Sequence, residues 1–181
     1  MHETTQHHSR SRFEKKFNGC QIIILLRRLS FTLLSNILVA IDGSENSDNA
    51  LNFALDLAEK FSSVLTILNV SEVLALSTVP QESTNYSVSN MSIFAKDLRK
   101  IQEDILNKAA SHSKTIKPEL LVSIILREGD PALEIVKVAK EGGFDAIIVG
   151  HKGSGGLSER FLGSVSEKVA HLAPCTVVII K

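Results

Sequence analysis

The fold is decided by the stretch Ile37-Leu38-Val39-Ala40-Ile41-Asp42-Gly43-Ser44. Its first five residues are all apolar and mostly β-branched, which is typical of a strand buried on both faces, as in a parallel sheet. Asp-Gly-Ser then ends the run, and apolar residues recur at helical spacing from Ala50 to Phe61, with Ser47 as the expected helix cap. A buried strand that leads directly into a helix predicts the first unit of an α/β domain.

The alternation of strand and helix continues to the end of the chain. Strands that alternate with helices imply a parallel sheet with helices on both faces and right-handed crossovers. Further strands are predicted over residues 64–70, 120–126, 146–149 and 176–180. A longer helix, marked by apolar residues from Ile93 to Ala109, is predicted to end before Pro118. Further helices are predicted from Pro131, with Asp130 as the cap, to Gly142-Gly143 and over residues 164–172, whereas residues 71–90 are expected to form a loop.

The composition is that of one globular domain with an N-terminal arm. The chain has 181 residues, 44% of them hydrophobic and 22% charged, and its 20 basic and 20 acidic side chains give a net charge of zero. Neutrality argues against a nucleic-acid-binding protein, and no apolar run approaches the length of a membrane span. Two cysteines without a CxxC motif favour a reducing compartment, so a cytoplasmic location is expected.

The arm, residues 1–34, differs in charge from the rest of the chain. It carries six basic and two acidic side chains, a net charge of +4, against −4 for residues 35–181. Its only apolar run, Ile22–Leu26, is too short for a secretory signal. We therefore expect residues 1–34 to be a poorly ordered basic extension that the sheet does not need, and residues 35–181 to be the folded domain. The arm's histidines, His2, His7 and His8, are expected to be solvated rather than to bind a metal.

The most informative loop follows the strand at residues 146–149. Five of the chain's ten glycines lie between Gly150 and Ser164. Glycines allow a ligand to approach the backbone, their amides can form an anion-binding nest, and Gly163-Ser164 begins a helix whose N-terminus favours a phosphate. On glycine content alone, a phosphate-binding loop and a surface loop whose glycines only make turns both remain open. Neither a P-loop nor a G-x-G-x-x-G motif occurs in the chain.

The spacing Gly150-x2-Gly153-x9-Gly163-Ser164 resembles G-x2-G-x9-G-[ST], the ATP-binding motif of the universal stress protein family. The resemblance extends from Asn36 to Lys181 and includes the segments 37–44, 128–132, 162–170 and 173–178. It implies a three-layer α/β sandwich around a five-stranded parallel sheet in the strand order 3-2-1-4-5, the Rossmann-like fold of the adenine nucleotide alpha hydrolases.

The resemblance also implies a site for ATP, with AMP or ADP as alternatives. It places Asp42, with the neighbouring Ala40 and Ile41, beside the ribose and phosphates, and the main chain of Val70 against adenine. The phosphates are assigned to Gly150, Gly153, Gly163, Ser164 and Val165. His151 stands where serine is more usual in the family, and Lys152 is either a phosphate ligand or a solvated cation. Mg2+ is expected to be held by the phosphates and water, with Asp42 as the candidate from the protein.

The function implied by the resemblance is that of a nucleotide-dependent regulator or switch of the stress response, with little or no catalysis. Bound nucleotide is expected to order the loop 151–162, and two chains are expected to form a homodimer through their last strands, residues 176–180. No catalytic residue is expected, and Cys175 is interpreted as a small packing residue. Two alternatives stay open: a slow ATPase or nucleotidyl-transferring enzyme, and a dimerisation module that binds no nucleotide.

Overall fold

The computed structural model describes residues 11–17, 20–26, 34–72, 86–153 and 162–181, and the structural statements that follow concern these residues. They form a single mixed sheet with helices on both faces. In chain order the elements are β1 (Ser11–Phe17), β2 (Cys20–Leu26), β3 (Asn36–Ala40), α1 (Glu45–Phe61), β4 (Val64–Ser71), α2 (Tyr86–Ile116), β5 (Val122–Glu128), α3 (Pro131–Glu141), β6 (Ala146–Gly150), α4 (Ser164–Leu172) and β7 (Thr176–Ile180).

The sheet has the order β5-β4-β3-β6-β7-β2-β1. Neighbours among β3 to β7 pair in parallel, and β2 joins β7 and β1 in antiparallel fashion. Counted along the chain, the five parallel strands therefore have the order 3-2-1-4-5. The predicted α/β sandwich is confirmed, and β1 and β2 extend it at one edge.

The core consists of two apolar layers, one on each face of the sheet. Ile37 and Val39 of β3 pack with α1 and α2 in one layer, and Leu38 packs with α3 and α4 in the other. All three side chains are completely buried. The continuous apolar run at residues 37–41 thus follows from burial on both faces, as the sequence predicts.

The helix caps confirm one prediction and correct another. Asp130 caps α3 by accepting a hydrogen bond from the Leu133 amide at 2.9 Å, and Gly142 ends this helix, as predicted. The cap of α1 is Ser44, whose hydroxyl accepts from the Ser47 amide at 3.3 Å. The prediction of Ser47 as the cap is therefore wrong by one turn, because Asp42 and Gly43 already bring the chain into position for a helix at Glu45.

The predicted boundaries between β4 and β5 are also shifted. Residues 71–90 are not all loop, since β4 ends at Ser71 and α2 begins at Tyr86, while residues 73–85 lie outside the described residues. Strand β5 spans Val122–Glu128, two residues later than predicted. The apolar run begins at Leu120 and Leu121, which precede the strand, and the strand continues through the exposed Arg127 and Glu128, which the apolar signal does not mark.

The largest correction concerns the N-terminal arm, where residues 11–17 and 20–26 form a hairpin. Its strand β2 pairs with the outer edge of β7, from Ile22 opposite Ile180 to Leu25 opposite Val177. Residues 11–17 and 20–26 are strands where a poorly ordered extension is expected, because the main chain of β2 pairs with that of β7. That the sheet does not need the arm stays a prediction. Residues 1–10, 18–19 and 27–33, including His2, His7 and His8, lie outside the described residues. Within the described ranges, no helix combines the length and apolarity required to cross a membrane.

Candidate functional site

The candidate site lies where the chain leaves β3 and β6 in opposite directions. These strands are parallel neighbours, with Ala40 opposite Val149 near their carboxyl ends. The chain continues from β3 to α1 on one face of the sheet and from β6 to α4 on the other. Such a switch point leaves a crevice at the carboxyl edge of the sheet, which is the usual ligand position in open α/β folds.

The loop after β3 holds a carboxylate in a fixed position. The amide and hydroxyl of Ser44 donate to Asp42 Oδ1 at 3.0 and 2.6 Å, and Gly43 between them adopts a φ of 80°. The second oxygen, Asp42 Oδ2, lies 2.5 Å from the position that a Cβ atom on Gly153 would occupy. The loops after β3 and β6 therefore meet at the Asp42 carboxylate.

The motif glycines are positions of close backbone approach. A Cβ atom on Gly150 would lie 2.9 Å from the carbonyl carbon and oxygen of Asn46 in α1. A Cβ atom on Gly163 would lie 3.1 Å from the His151 carbonyl oxygen and 3.2 Å from the Lys152 Cα. A side chain at position 150 would force the main chain to shift, and one at position 163 would require neighbouring main-chain atoms to move slightly. The residues with positive φ are found elsewhere in the described chain, so close approach rather than backbone conformation favours glycine here.

The start of α4 forms the second wall of the site. Gly163 is its N-cap and no side chain caps the helix, so its first amides remain suited to an anion. The Gly163 amide donates to the His151 carbonyl at 2.7 Å, and the buried Ser166 hydroxyl lies 2.9 Å from the carbonyl oxygens of both residues. Ser166, which sequence reasoning missed, thus ties α4 to the end of β6; the only signal is a serine in the first helical turn.

Asn69 is a second residue that sequence reasoning did not select. Its side chain is 1% exposed, its Nδ2 donates to the Ile41 carbonyl at 2.9 Å, and its Oδ1 has no hydrogen-bond partner among the described residues. The bond fixes the chain immediately before Asp42. An asparagine in the largely apolar strand β4 is the sequence signal that marks this position.

The structure brings together some of the predicted site residues and separates the roles of others. Asp42, Gly150, Gly153 and Gly163 line adjoining segments, and Ser164 is exposed in the first turn of α4. Ala40, Val70 and Val165 pack their side chains against the apolar layer below α3 and α4, and the Ile41 side chain is buried in the opposite layer. The Ile41 amide donates to the Leu68 carbonyl and its carbonyl accepts from Asn69, so both main-chain groups of Ile41 already have partners in the protein. Lys152 is partly buried, and residues 154–161, including Arg160, lie outside the described residues.

The charged groups at the rim are engaged in structural contacts. Lys168 Nζ lies 2.8 Å from Asp130 Oδ2, and this hydrogen bond, with that from the Leu133 amide, lowers the pKa of Asp130 below its ordinary value. The contact joins the start of α3 to α4. Among the described residues, no group of three or more histidine, cysteine, aspartate or glutamate side chains is arranged to hold a metal ion.

Comparisons with known proteins match the body of the chain. The model of the universal stress protein family matches residues 34–181. Universal stress protein YxiE of Bacillus subtilis is 36% identical over 154 residues, which cover 82% of this chain and 100% of that protein. The structure of universal stress protein UspA from Lactobacillus plantarum has a TM-score of 0.71 at 23% identity and covers 83% of this chain and 99% of its own. The universal stress protein from Archaeoglobus fulgidus in complex with dAMP has a TM-score of 0.54 at 22% identity, covering 83% of this chain and 100% of its own.

Proposed function

The chain belongs to the universal stress protein family, and on this premise we propose that it binds an adenine nucleotide, ATP in the first place, and acts as a nucleotide-dependent regulator with little or no catalysis. The observation that carries the proposal is the convergence of three main-chain segments at the carboxyl edge of the sheet: the Asp42 loop, residues 150–153 and the start of α4. The same edge lies at the switch point between β3 and β6, where ligands of open α/β sheets bind.

The phosphates fit the second and third of these segments. Gly150, Gly153 and Gly163 keep side chains out of the space around the backbone, and α4 presents its first amides without a side-chain cap. A helix N-terminus combines free N–H groups with a partial positive charge, which favours phosphate oxygens. Lys152, between the two walls, adds a cation that shortens and strengthens a contact to phosphate. We assign the phosphates to these residues together with Ser164 and the Val165 amide.

The sugar and base fit the Asp42 side of the crevice. Asp42 Oδ1 is engaged with Ser44, and its orientation aims Oδ2 at the Gly153 backbone. A carboxylate held in this way accepts hydrogen bonds from ribose hydroxyls, and we assign adenine to the main chain of Val70 beside it. The Archaeoglobus fulgidus relative that forms a complex with dAMP supports an adenine nucleotide as the class of ligand.

The same arrangement supports a regulator more than an enzyme. One oxygen of Asp42 already shapes its own loop, so this carboxylate is better suited to positioning a ligand than to activating water. Mg2+ retains most of its waters and takes few protein ligands. In the proposed complex Mg2+ would be bound by the phosphates, and Asp42 is the residue that would accept a hydrogen bond from one of its water ligands.

The test is a calorimetric titration of the full chain with ATP, AMP and GTP, each with and without Mg2+. Binding of ATP or AMP in preference to GTP supports an adenine nucleotide site, and the ratio of ATP to AMP affinity measures the contribution of the outer phosphates. Absence of binding for all three nucleotides in a protein whose circular dichroism shows the folded state would overturn the proposal. Stoichiometric release of phosphate in a single turnover would instead favour the ATPase alternative.

We also propose a homodimer that forms through residues 176–180. In the structure the strand edge that this dimer needs is already paired. Strand β7 pairs with β6 on one side and with β2 on the other. Two β7 strands can meet at this edge only when β2 has left it. We therefore propose this dimer for a state of the protein in which the hairpin is displaced.

A further inference from the structure

The outer edge of β7 offers two main-chain positions for pairing. The Ile180 carbonyl accepts from the His151 amide and the Thr176 amide donates to the Asp145 carbonyl, so residues 176, 178 and 180 face β6. Because successive residues of a strand point their N–H and C=O groups to opposite sides, Val177 and Ile179 face outwards. Their partners across the edge are Leu25 and Ile23 of β2.

Strand β2 resembles the strand that it covers. The four paired residues of β2, Ile22–Leu25, are all aliphatic, and so are the four residues of β7 that they oppose, Val177–Ile180. The two strands are antiparallel. A second copy of the chain related by a two-fold axis would also set its β7 antiparallel to this edge. The hairpin therefore provides, from within the same chain, the antiparallel aliphatic strand that the β7 of a second chain would otherwise provide.

The hairpin is an addition to the body of the chain. The family model begins at residue 34, after both hairpin strands, and YxiE is matched over its whole length by 82% of this chain. Strand β1, which becomes the new sheet edge, contains Arg12, Lys15 and Lys16. Charged residues on an edge strand oppose pairing with another chain, whereas an uncovered aliphatic strand invites it.

The chain is long enough for the hairpin to cover its own β7. Three strand spacings separate β2 from β3, about 14 Å, and the nine residues between Leu26 and Asn36 reach about 30 Å when extended. A short connection of this kind gives the tethered strand an effective concentration of about 1 mM. For strands of similar pairing strength, the hairpin therefore outcompetes a second copy at ordinary protein concentrations.

We infer that the hairpin strands β1 and β2 are a detachable cover of the β7 edge, and that they compete with the β7 strand of a second copy of this chain. With the hairpin in place the protein is a monomer, and with the hairpin displaced two chains pair through β7. The inference rests on the proposed pairing of β7 but not on nucleotide binding, since the two features lie in different parts of the molecule.

The first experiment removes the amides of β2 that face β7. Ile23→Pro with Leu25→Pro in the full chain deletes both donors, and the matched variant Ile23→Ala with Leu25→Ala shortens the same side chains but keeps the amides. Sedimentation equilibrium is expected to give the monomer mass of 19.8 kDa for the wild type and the alanine variant, and twice that mass for the proline variant. Adding Val177→Pro to the proline variant deletes an outward donor without touching the pairs with β6, and should restore the monomer.

The second experiment locates the hairpin directly. Ile24 and Val178 are opposite one another and belong to a pair without mutual hydrogen bonds, whose Cα atoms lie about 4.5 Å apart, a separation that suits a disulfide. Ile24→Cys with Val178→Cys, in a background with Cys20→Ser and Cys175→Ser, should form a disulfide within one chain and remain monomeric on a non-reducing gel.

Three results would overturn the inference. They are a wild type that is already dimeric with the same mass as the proline variant, a proline variant that is folded by circular dichroism yet monomeric, and a disulfide that joins two chains. If the proline variant fails to fold, the disulfide alone decides between a cover within one chain and an exchanged hairpin. Titration of ATP into each folded variant separates the two proposals, because the inference expects unchanged affinity whatever the oligomeric state.

Discussion

The two ends of the parallel sheet each carry an aspartate that accepts two hydrogen bonds, and they use it differently. At the amino end, Asp145 Oδ2 accepts hydrogen bonds from the amides of Ser35 and Asn36 at 2.8 and 3.0 Å. These two residues lie more than a hundred positions from Asp145 in the sequence. At the carboxyl end, Asp42 Oδ1 accepts from the amide and hydroxyl of Ser44, two residues away. The first carboxylate joins distant parts of the fold, and the second shapes a loop and directs its other oxygen at Gly153.

The difference indicates that stability and ligand binding are assigned to opposite ends of the same strands. The amino end also holds Lys117 in ion pairs with Asp56 and Glu59, which join α2 to α1. The carboxyl end places glycines, an uncapped helix and an exposed carboxylate around one crevice. Apart from the close packing of Gly150 and the ion pair of Asp130 with Lys168, substitutions at the two ends should therefore affect different measurements, and the comparison fails wherever they do not.

The largest effect is expected from Gly150→Val, because here the carboxyl end also depends on close packing. The new Cβ atom would meet the carbonyl group of Asn46 at 2.9 Å, and main-chain atoms of α1 cannot rotate away. We expect a loss of about 2–3 kcal/mol in the free energy of unfolding, measured by urea denaturation. In the matched variant Gly153→Ala, the new Cβ atom meets, among the described residues, the carboxyl group at the tip of the Asp42 side chain, so this variant should keep its stability and lose nucleotide affinity. Equal destabilisation by the two variants would contradict this account of the glycines.

The next effect is that of Asp145→Ala at the amino end. Two main-chain amides at the start of β3 lose their acceptor. The Ser35 amide is exposed and returns to water, whereas the Asn36 amide is partly buried, and an unsatisfied donor that is shielded from water costs about 1–3 kcal/mol. The urea midpoint should fall, while calorimetry on the folded protein should show an unchanged affinity for ATP. A weaker affinity at full occupancy of the folded state would show that the amino end also shapes the crevice.

Asp42→Ala is the converse variant at the carboxyl end. The Ser44 groups that it leaves behind are exposed and return to water, so the urea midpoint should change little. A hydrogen bond to a charged group contributes about 1.5–3 kcal/mol, and its loss should weaken nucleotide binding about tenfold or more. Asp48→Ala, an exposed carboxylate in the adjoining first turn of α1, serves as the control for charge. Equal affinity of the Asp42 variant and this control would remove Asp42 from the proposed site.

The body of the fold could be predicted from sequence because its signals are local. The run at residues 37–41 is buried on both faces, and Asp130-Pro131 marks the start of α3 by its own chemistry. The site was predictable only in outline. Glycine spacing locates the loops, but the meeting of Gly153 with Asp42 depends on the path of two loops that lie more than a hundred residues apart.

The hairpin was missed for a different reason. The pairing of β2 with β7 joins opposite ends of the chain. The periodicity of apolar residues indicates individual strands and helices, but it does not indicate which strands pair. A local signal was nevertheless present: Phe17 pairs with Cys20, and the two residues between them in the sequence, Asn18-Gly19, are the dipeptide most typical of a two-residue hairpin. The basic charge of the arm suits an outer edge strand as well as it suits a poorly ordered extension.

The smallest expected effects come from pH, and they act on the two ends in opposite directions. At the amino end, hydrogen bonds from Lys117 to Glu59 and Asp56 raise the pKa of that lysine above 10.5, so its contribution to stability is complete below pH 10.5 and is lost as pH rises through the folded-state pKa. At the carboxyl end, the hydrogen bond from Lys168 lowers the pKa of Asp130 below 3.8, so its contribution is complete above that pH and is lost as pH falls through the folded-state pKa. The melting temperature, measured across pH, should therefore depend less on acid pH in Lys168→Met and less on alkaline pH in Lys117→Met. Both changes in melting temperature should be smaller than that of Asp145→Ala, because these ion pairs are in contact with solvent. If Lys168→Met changed the alkaline dependence, or Lys117→Met the acid dependence, the two ends of the sheet would be coupled. The separation of stability from ligand binding between the two ends would then be wrong.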